Sequence, residues 1–190
     1  MSASRSLVSR FLAWMYKMSG WKISGDKPDL KKYLVIVAPH TSNWDFFVGW
    51  GARNVMGFQP NFLAKKELFK IPLVGFFLKS IGGVAVDRNS KKKSTQLVQQ
   101  VVDLYKEREE FIMTITPEGT RSYSPRWKTG FYRIAHEAGV PIVKIGFDYK
   151  TKTVYVDESY YTRGEMETEI EEIKEHFRQF TGKNPEDGVR

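Results

Sequence analysis

The stretch YLVIVAPHTSNWDFF, residues 33–47, decides how the chain is organised. YLVIVA is an uninterrupted apolar run, the pattern of a strand covered on both faces of a sheet. It leads into His40, three small polar residues and Asp45, with aromatic side chains on either side of the aspartate. Thr41, Ser42 or Asn43 is suited to cap a following helix, and Asp45 falls in its first turn, where a carboxylate suits the helix dipole. Asp45 is also placed to fold back onto one ring nitrogen of His40. That would fix the tautomer and leave the other nitrogen as a general base. On this stretch alone both readings stand: a capped turn with a hydrogen-bonded histidine, or a reactive centre.

Outward from it, strands and helices alternate. NFLA (61–64), VAV (84–86), FIMTIT (111–116) and PIVKIGF (141–147) read as strands, and TVYV (153–156) as a partner of the last across the YKTK turn. Leu97, Val98, Val101, Leu104 and Tyr105 recur at helical spacing within 91–108. Residues 129–139 suit a helix ending at Gly139, and 165–181 a polar helix with Ile170, Ile173, Phe177 and Phe180 on one stripe. This alternation predicts a single α/β domain with a mostly parallel mixed sheet flanked by helices. Residues 4–19 add an N-terminal amphipathic helix carrying Leu7, Phe11, Met15 and Met18, with Trp14 at the stripe's edge. Basic residues elsewhere around it suit either an interfacial membrane anchor or a terminal helix packed on its own domain.

At 190 residues, 41% hydrophobic and 14% aromatic, the chain is long enough for one real core, and disorder is excluded. It has no cysteine, which removes disulfides, thiolate metal sites and a cysteine nucleophile together. The net charge of +8 calls for an anionic partner. Arg5, Arg10, Lys17 and Lys22 are unopposed by acids within residues 1–25, whereas EMETEIEEIKE near the C-terminus is acidic. No run reaches the ~20 apolar residues of a membrane span, and no secretory signal is evident. His136 and His176 complete no metal-ligand spacing, so no metal is expected.

Two further clusters follow strands, at the ends where α/β sheets hold ligands. Lys65 and Lys66 follow NFLA, and Arg88 follows GGVAVD; lysine and arginine are the usual phosphate ligands. In TPEGTRS (116–122), Gly119 frees the backbone, and Glu118 and Arg121 share one short loop, as a structural ion pair or as part of an anion cradle. No G-x-S-x-G turn supplies a nucleophile, so a His–Asp pair here implies that the substrate brings the hydroxyl.

HTSNWD, GGVAVDR, TPEGTRS and VPIV, in that order, resemble the four signature blocks of the glycerolipid acyltransferases, whose type activity is 1-acyl-sn-glycerol-3-phosphate acylation. Pro39, Thr116 and a valine of VAVDR stand where the family more often has asparagine, phenylalanine and an aromatic residue. The resemblance implies a glycerol-3-phosphate acyltransferase-like fold, with residues 1–25 as a membrane-interface segment and 26–190 as the acyltransferase domain. It implies His40 as base, oriented by Asp45, and an acceptor phosphate held by Arg88, Arg121 and one of Lys65 or Lys66, with Glu118 and Gly119 shaping that loop of the acceptor site and Glu118 touching the acceptor hydroxyls. Phe76, Phe77 and Pro141 become the expected acyl groove. No cofactor is expected; the acyl donor is acyl-CoA or acyl-ACP. The expected partners are a lysophospholipid, an anionic membrane surface and acyl carrier protein, without nucleic acid, at the cytoplasmic face of the membrane. The alternatives are the same reaction on another lyso-lipid or glycolipid, or a non-enzymatic basic module that binds membrane or nucleic acid.

Overall fold

Successive residues of YLVIVA point into two different cores. The computed structural model describes residues 7–86 and 93–190. In it strand β1 spans Lys22–Ser24, and Lys32–Ala38 forms β2 at the centre of a seven-stranded sheet. Leu34, Ile36 and Ala38 face one side and Tyr33, Val35 and Val37 the other, all buried. The remaining strands are β3 (Asn61–Lys65), β4 (Gly83–Val86), β5 (Phe111–Ile115), β6 (Ile142–Asp148) and β7 (Thr153–Tyr160). Their order is β1-β7-β6-β2-β5-β3-β4. The five strands from β6 to β4 are parallel, β7 runs against β6 as a hairpin, and β1 runs with β7. The mostly parallel mixed sheet expected from the alternation is therefore present.

Helices α1 (Leu7–Met18), α2 (Trp44–Met56), α3 (Pro72–Ser80), α4 (Lys93–Glu107), α5 (Gly130–Ala138) and α6 (Met166–Phe177) complete the chain. α4, α5 and α6 bury Val101, Phe131, Ile134, Ile173 and Phe177 against the Leu34–Ile36 face. α1 and α2 cover the other face with Tyr16, Val48 and Ala52. Gly57 and Gly139 end α2 and α5 in the left-handed region that glycine adopts most readily, at φ 72° and 65°. Two elements escape the sequence pattern. β1 is short, pairs with β7 and sets Ile23 alone of its residues against the core. α3, begun by Pro72, is apolar around its whole circumference and so shows no helical stripe.

α1 packs on α2 through Tyr16, whose ring lies where Gly51 would carry a Cβ. Phe11, Trp14, Met15 and Met18 point outward from α1 instead of into the domain. Leu73 and Phe76 do the same on α3, at 86% and 78% exposure. Among the described residues no helix is long and apolar enough to cross a membrane.

The C-terminal segment after α6 folds back over the sheet. The Phe180 ring covers Gly146 of β6 and stacks on Tyr155 with centroids 5.1 Å apart, and a Cβ at 146 would run into that ring. Gly146→Ala should therefore cost about 1–3 kcal/mol, read as a lowered urea midpoint; an unchanged midpoint would show that Phe180 has room to move.

Candidate active site

Parallel strands that end together bring their loops together. His40 follows β2, Lys65 closes β3, and residues 116–121 follow β5, which lies between β2 and β3 in the sheet. All three clusters thus lie along one edge, beyond the carboxyl ends of the strands.

The turn from β2 into α2 is organised around the Asp45 carboxylate, in a residue only 3% exposed. Oδ2 accepts from His40 Nδ1, Thr41 N and Ser42 N, each at 2.9 Å. Oδ1 accepts from the Tyr149 hydroxyl at 2.6 Å. An ionised carboxylate only accepts, so Nδ1 carries the proton and Nε2 is the basic nitrogen. Asp45 occupies the first turn of α2, where the dipole favours its charge. Asn43 holds the cap position without a side-chain capping bond, while Ser42 Oγ accepts from Trp44 N at 3.2 Å. The carboxylate that satisfies the loop's N–H groups also orients the imidazole.

His40 and Asp45 stand at the wall of a cavity of about 910 Å³. That is near the upper end of small-molecule sites, which run ~300–1,000 Å³. Its walls are largely aliphatic and aromatic and come from both faces of the sheet, with Val37 and Phe147 on one and Val98 and Phe131 on the other. β3 and β5 pair at Asn61–Met113 and Phe62–Thr114. Beyond those pairs Leu63 and Ile115 line the cavity.

Arg121 donates to Asn43 Oδ1, tying the TPEGTRS loop to the HTSNWD loop at the exposed rim. Lys65 and Lys66 are exposed at the end of β3. Arg88 lies outside the described residues. Gly119 adopts φ +69°, and the Lys128 side chain crosses where its Cβ would be. Glu118 is not paired with Arg121 in the bonds it makes, nor does it face outward toward an acceptor. It is 5% exposed, and its oxygens accept the His40 backbone N–H at 2.9 and 3.2 Å. The expected acyl groove needs correction. Phe76 and Phe77 lie on the outer surface of α3, and of segment 71–81 only Ile81 reaches the cavity. Pro141 precedes β6, and its carbonyl accepts from Leu34 N at the opposite, amino end of the strands.

Three contributors carry no signal in the sequence. Tyr149 lies in the β6–β7 turn. Asn184 bonds Thr41 twice, through N to Oγ1 at 3.1 Å and through Nδ2 to the carbonyl at 2.9 Å. Lys183 places its ammonium 4.7 Å from the Trp44 ring centre. Each meets the loop only through the fold, and an isolated Tyr, Asn or Lys is unremarkable.

Residues 22–148 match the family model described as Acyltransferase. The chain is 33% identical over 132 residues to the 1-acyl-sn-glycerol-3-phosphate acyltransferase of Escherichia coli (strain K12), a match covering 66% of this chain and 52% of that protein. It is 26% identical over 154 residues to the protein of the same name from Saccharomyces cerevisiae, covering 76% and 48%. The chain thus matches about half the length of these relatives. The crystal structure of the 1-acyl-sn-glycerophosphate (LPA) acyltransferase PlsC from Thermotoga maritima shares the fold. It aligns with a TM-score of 0.59 at 18% identity, covering 94% of this chain and 83% of that one.

Burial, opposed by the His40 N–H and reinforced by the Asp45 charge, pushes the Glu118 carboxyl up from 4.5 to about 8. A carboxyl whose folded pKa is raised stabilises the fold fully below the unfolded value and loses that contribution as pH rises through the folded one. Stability should therefore fall between pH about 4.5 and about 8. Glu118→Gln keeps an acceptor for His40 N–H but cannot ionise, so it should flatten that slope in urea titrations at pH 5 and 9. An unchanged slope would assign the pH dependence to another group.

Proposed function

The chain belongs to the acyltransferase family, and we propose that it transfers a fatty acyl group from an acyl thioester to the free hydroxyl of 1-acyl-sn-glycerol 3-phosphate, giving phosphatidic acid. The observation that carries this reading is a histidine–carboxylate pair at the wall of a large, mainly apolar cavity, with cationic side chains on neighbouring loops. His40 Nε2 takes the proton of the acceptor hydroxyl as its oxygen attacks the thioester carbonyl. The new C–O bond forms, the C–S bond breaks, and the imidazolium returns the proton to the departing thiolate. Asp45 holds the ring in place and stabilises its transient charge. No nucleophilic side chain of the protein is needed, because the acceptor supplies the oxygen.

Arg121, fixed by Asn43 at the rim, and Lys65 or Lys66 at the end of β3 suit the acceptor phosphate. The cavity suits an acyl chain, and the donor is carried by coenzyme A or by acyl carrier protein. Exposed Phe11, Trp14 and Met18 on α1 suit a protein resting on an anionic membrane surface at its cytoplasmic face, within reach of a lysophospholipid acceptor.

Replacing His40 by Ala should lower kcat by about 10²–10⁴-fold with folding retained, measured with an acyl thioester and a panel of lyso-acceptors. Folded wild-type protein that acylates none of them would overturn the reading; preference for another headgroup would move the acceptor assignment alone. Arg121→Ala should raise the acceptor KM more than an exposed lysine change far from the site. Phe11→Ser with Trp14→Ser should weaken binding to phosphatidylglycerol vesicles about tenfold or more; equal sedimentation with vesicles would defeat the membrane assignment.

A further inference from the structure

The Asp45 carboxylate has two oxygens, and the His40–Asp45 loop satisfies only one of them. His40, Thr41 and Ser42 all donate to Oδ2. Oδ1 is served from the β6–β7 turn, by Tyr149 at 2.6 Å. We propose that Tyr149 is a positioning residue for the catalytic pair: its hydroxyl locks the rotation of the Asp45 carboxylate and thereby sets the orientation and basicity of His40. The inference rests on the reading of His40 as the base of acyl transfer.

Without that hydroxyl, a buried anionic oxygen would lack a donor, and the carboxylate would gain freedom to turn about its Cβ–Cγ bond. Such a turn changes which oxygen meets the imidazole and at what angle. Tyr149 is itself held rigidly enough to act as a stop. Its backbone N–H donates to the Thr181 carbonyl at 2.8 Å. The Trp21 ring meets its ring edge-on, with centroids 4.9 Å apart and planes at 89°. The preceding Asp148 accepts from Thr181 N at 3.1 Å and Thr151 Oγ1 at 2.6 Å, which stiffens the turn. Burial, together with Asp45, raises the ionisation of Tyr149 far above neutrality, so the phenol remains a donor at working pH.

The hydrogen bond also draws charge away from Asp45. Three ionisable groups converge here from different elements: Asp45 on the imidazole, Tyr149 on Asp45, and Glu118 on the His40 backbone N–H. Removing the Tyr149 hydroxyl concentrates charge on Asp45, which favours the imidazolium and raises the pKa of His40.

Tyr149→Phe keeps the ring and its packing on Trp21 while deleting the donor. In the full chain, kcat should fall about tenfold with acceptor KM unchanged, because the hydroxyl is committed to Asp45 and not to substrate. The acid limb of the kcat–pH profile should move up by roughly 0.5–1 unit. The His40 imidazole resonance, assigned by its loss in His40→Asn, should show the same upward shift in an NMR titration without substrate. A Tyr149→Phe protein with the parent's kcat, pH profile and His40 titration would overturn the proposal, as would a lowered Tm with those three unchanged. The NMR titration requires no turnover. A wild-type protein inactive on every acceptor would therefore defeat the acyl-transfer reading while the titration still decided the role of Tyr149.

Discussion

A buried carboxylate stays charged at low cost where donors converge on it, and at Asp45 this molecule arranges such a convergence beside an imidazole. Four hydrogen bonds from three loop residues and the β6–β7 turn hold one side chain. The end of β2, the start of α2 and the hairpin beyond β6 are fixed relative to one another by that one group. The five-residue spacing between His40 and Asp45 follows from it. The loop must be long enough to turn two backbone N–H groups inward and small enough that no bulky side chain intervenes. The helix dipole then favours the charge that the loop has assembled.

Around this rigid point the rest of the domain is less economical. A sheet that kept β3 and β5 paired along their length would have a more continuous core. Instead they part after two residue pairs, and a cavity runs between the two faces. Apolar side chains that would fill a core elsewhere are turned outward on α1 and α3. The interior thus gives up packing density for volume, and the surface of α1 and α3 gives up polarity.

Much of this was legible in the residues. β2, β5 and β6 announce themselves because strands buried on both faces need mainly apolar runs, and His40 and Asp45 because a loop bond needs close spacing. The failures have physical causes as well. Phe76 and Phe77 are apolar and near the site in sequence, but α3 is apolar all round, so pattern alone could not say which way it faces. Pro141 has the right strand and the wrong end of it, since a strand's direction in the sheet is a tertiary property. Glu118 suggested an ion pair with its neighbour Arg121, whereas the bond it makes is to a backbone group 78 residues away. Tyr149 and Asn184 reach the loop from 104 and 143 positions along the chain, a distance over which no local signal survives.

The strap formed by residues 180–184 has a consequence for how the protein comes into being. The HTSNWD loop leaves the ribosome well before residues 181–184, yet Thr41 receives two of its bonds from Asn184, and the turn that carries Tyr149 is tied down by Thr181. A nascent chain therefore carries the histidine and the aspartate long before it can hold them in register. The complete arrangement appears only once residues 180–184 have emerged, so translation products that stop short of them are born without it.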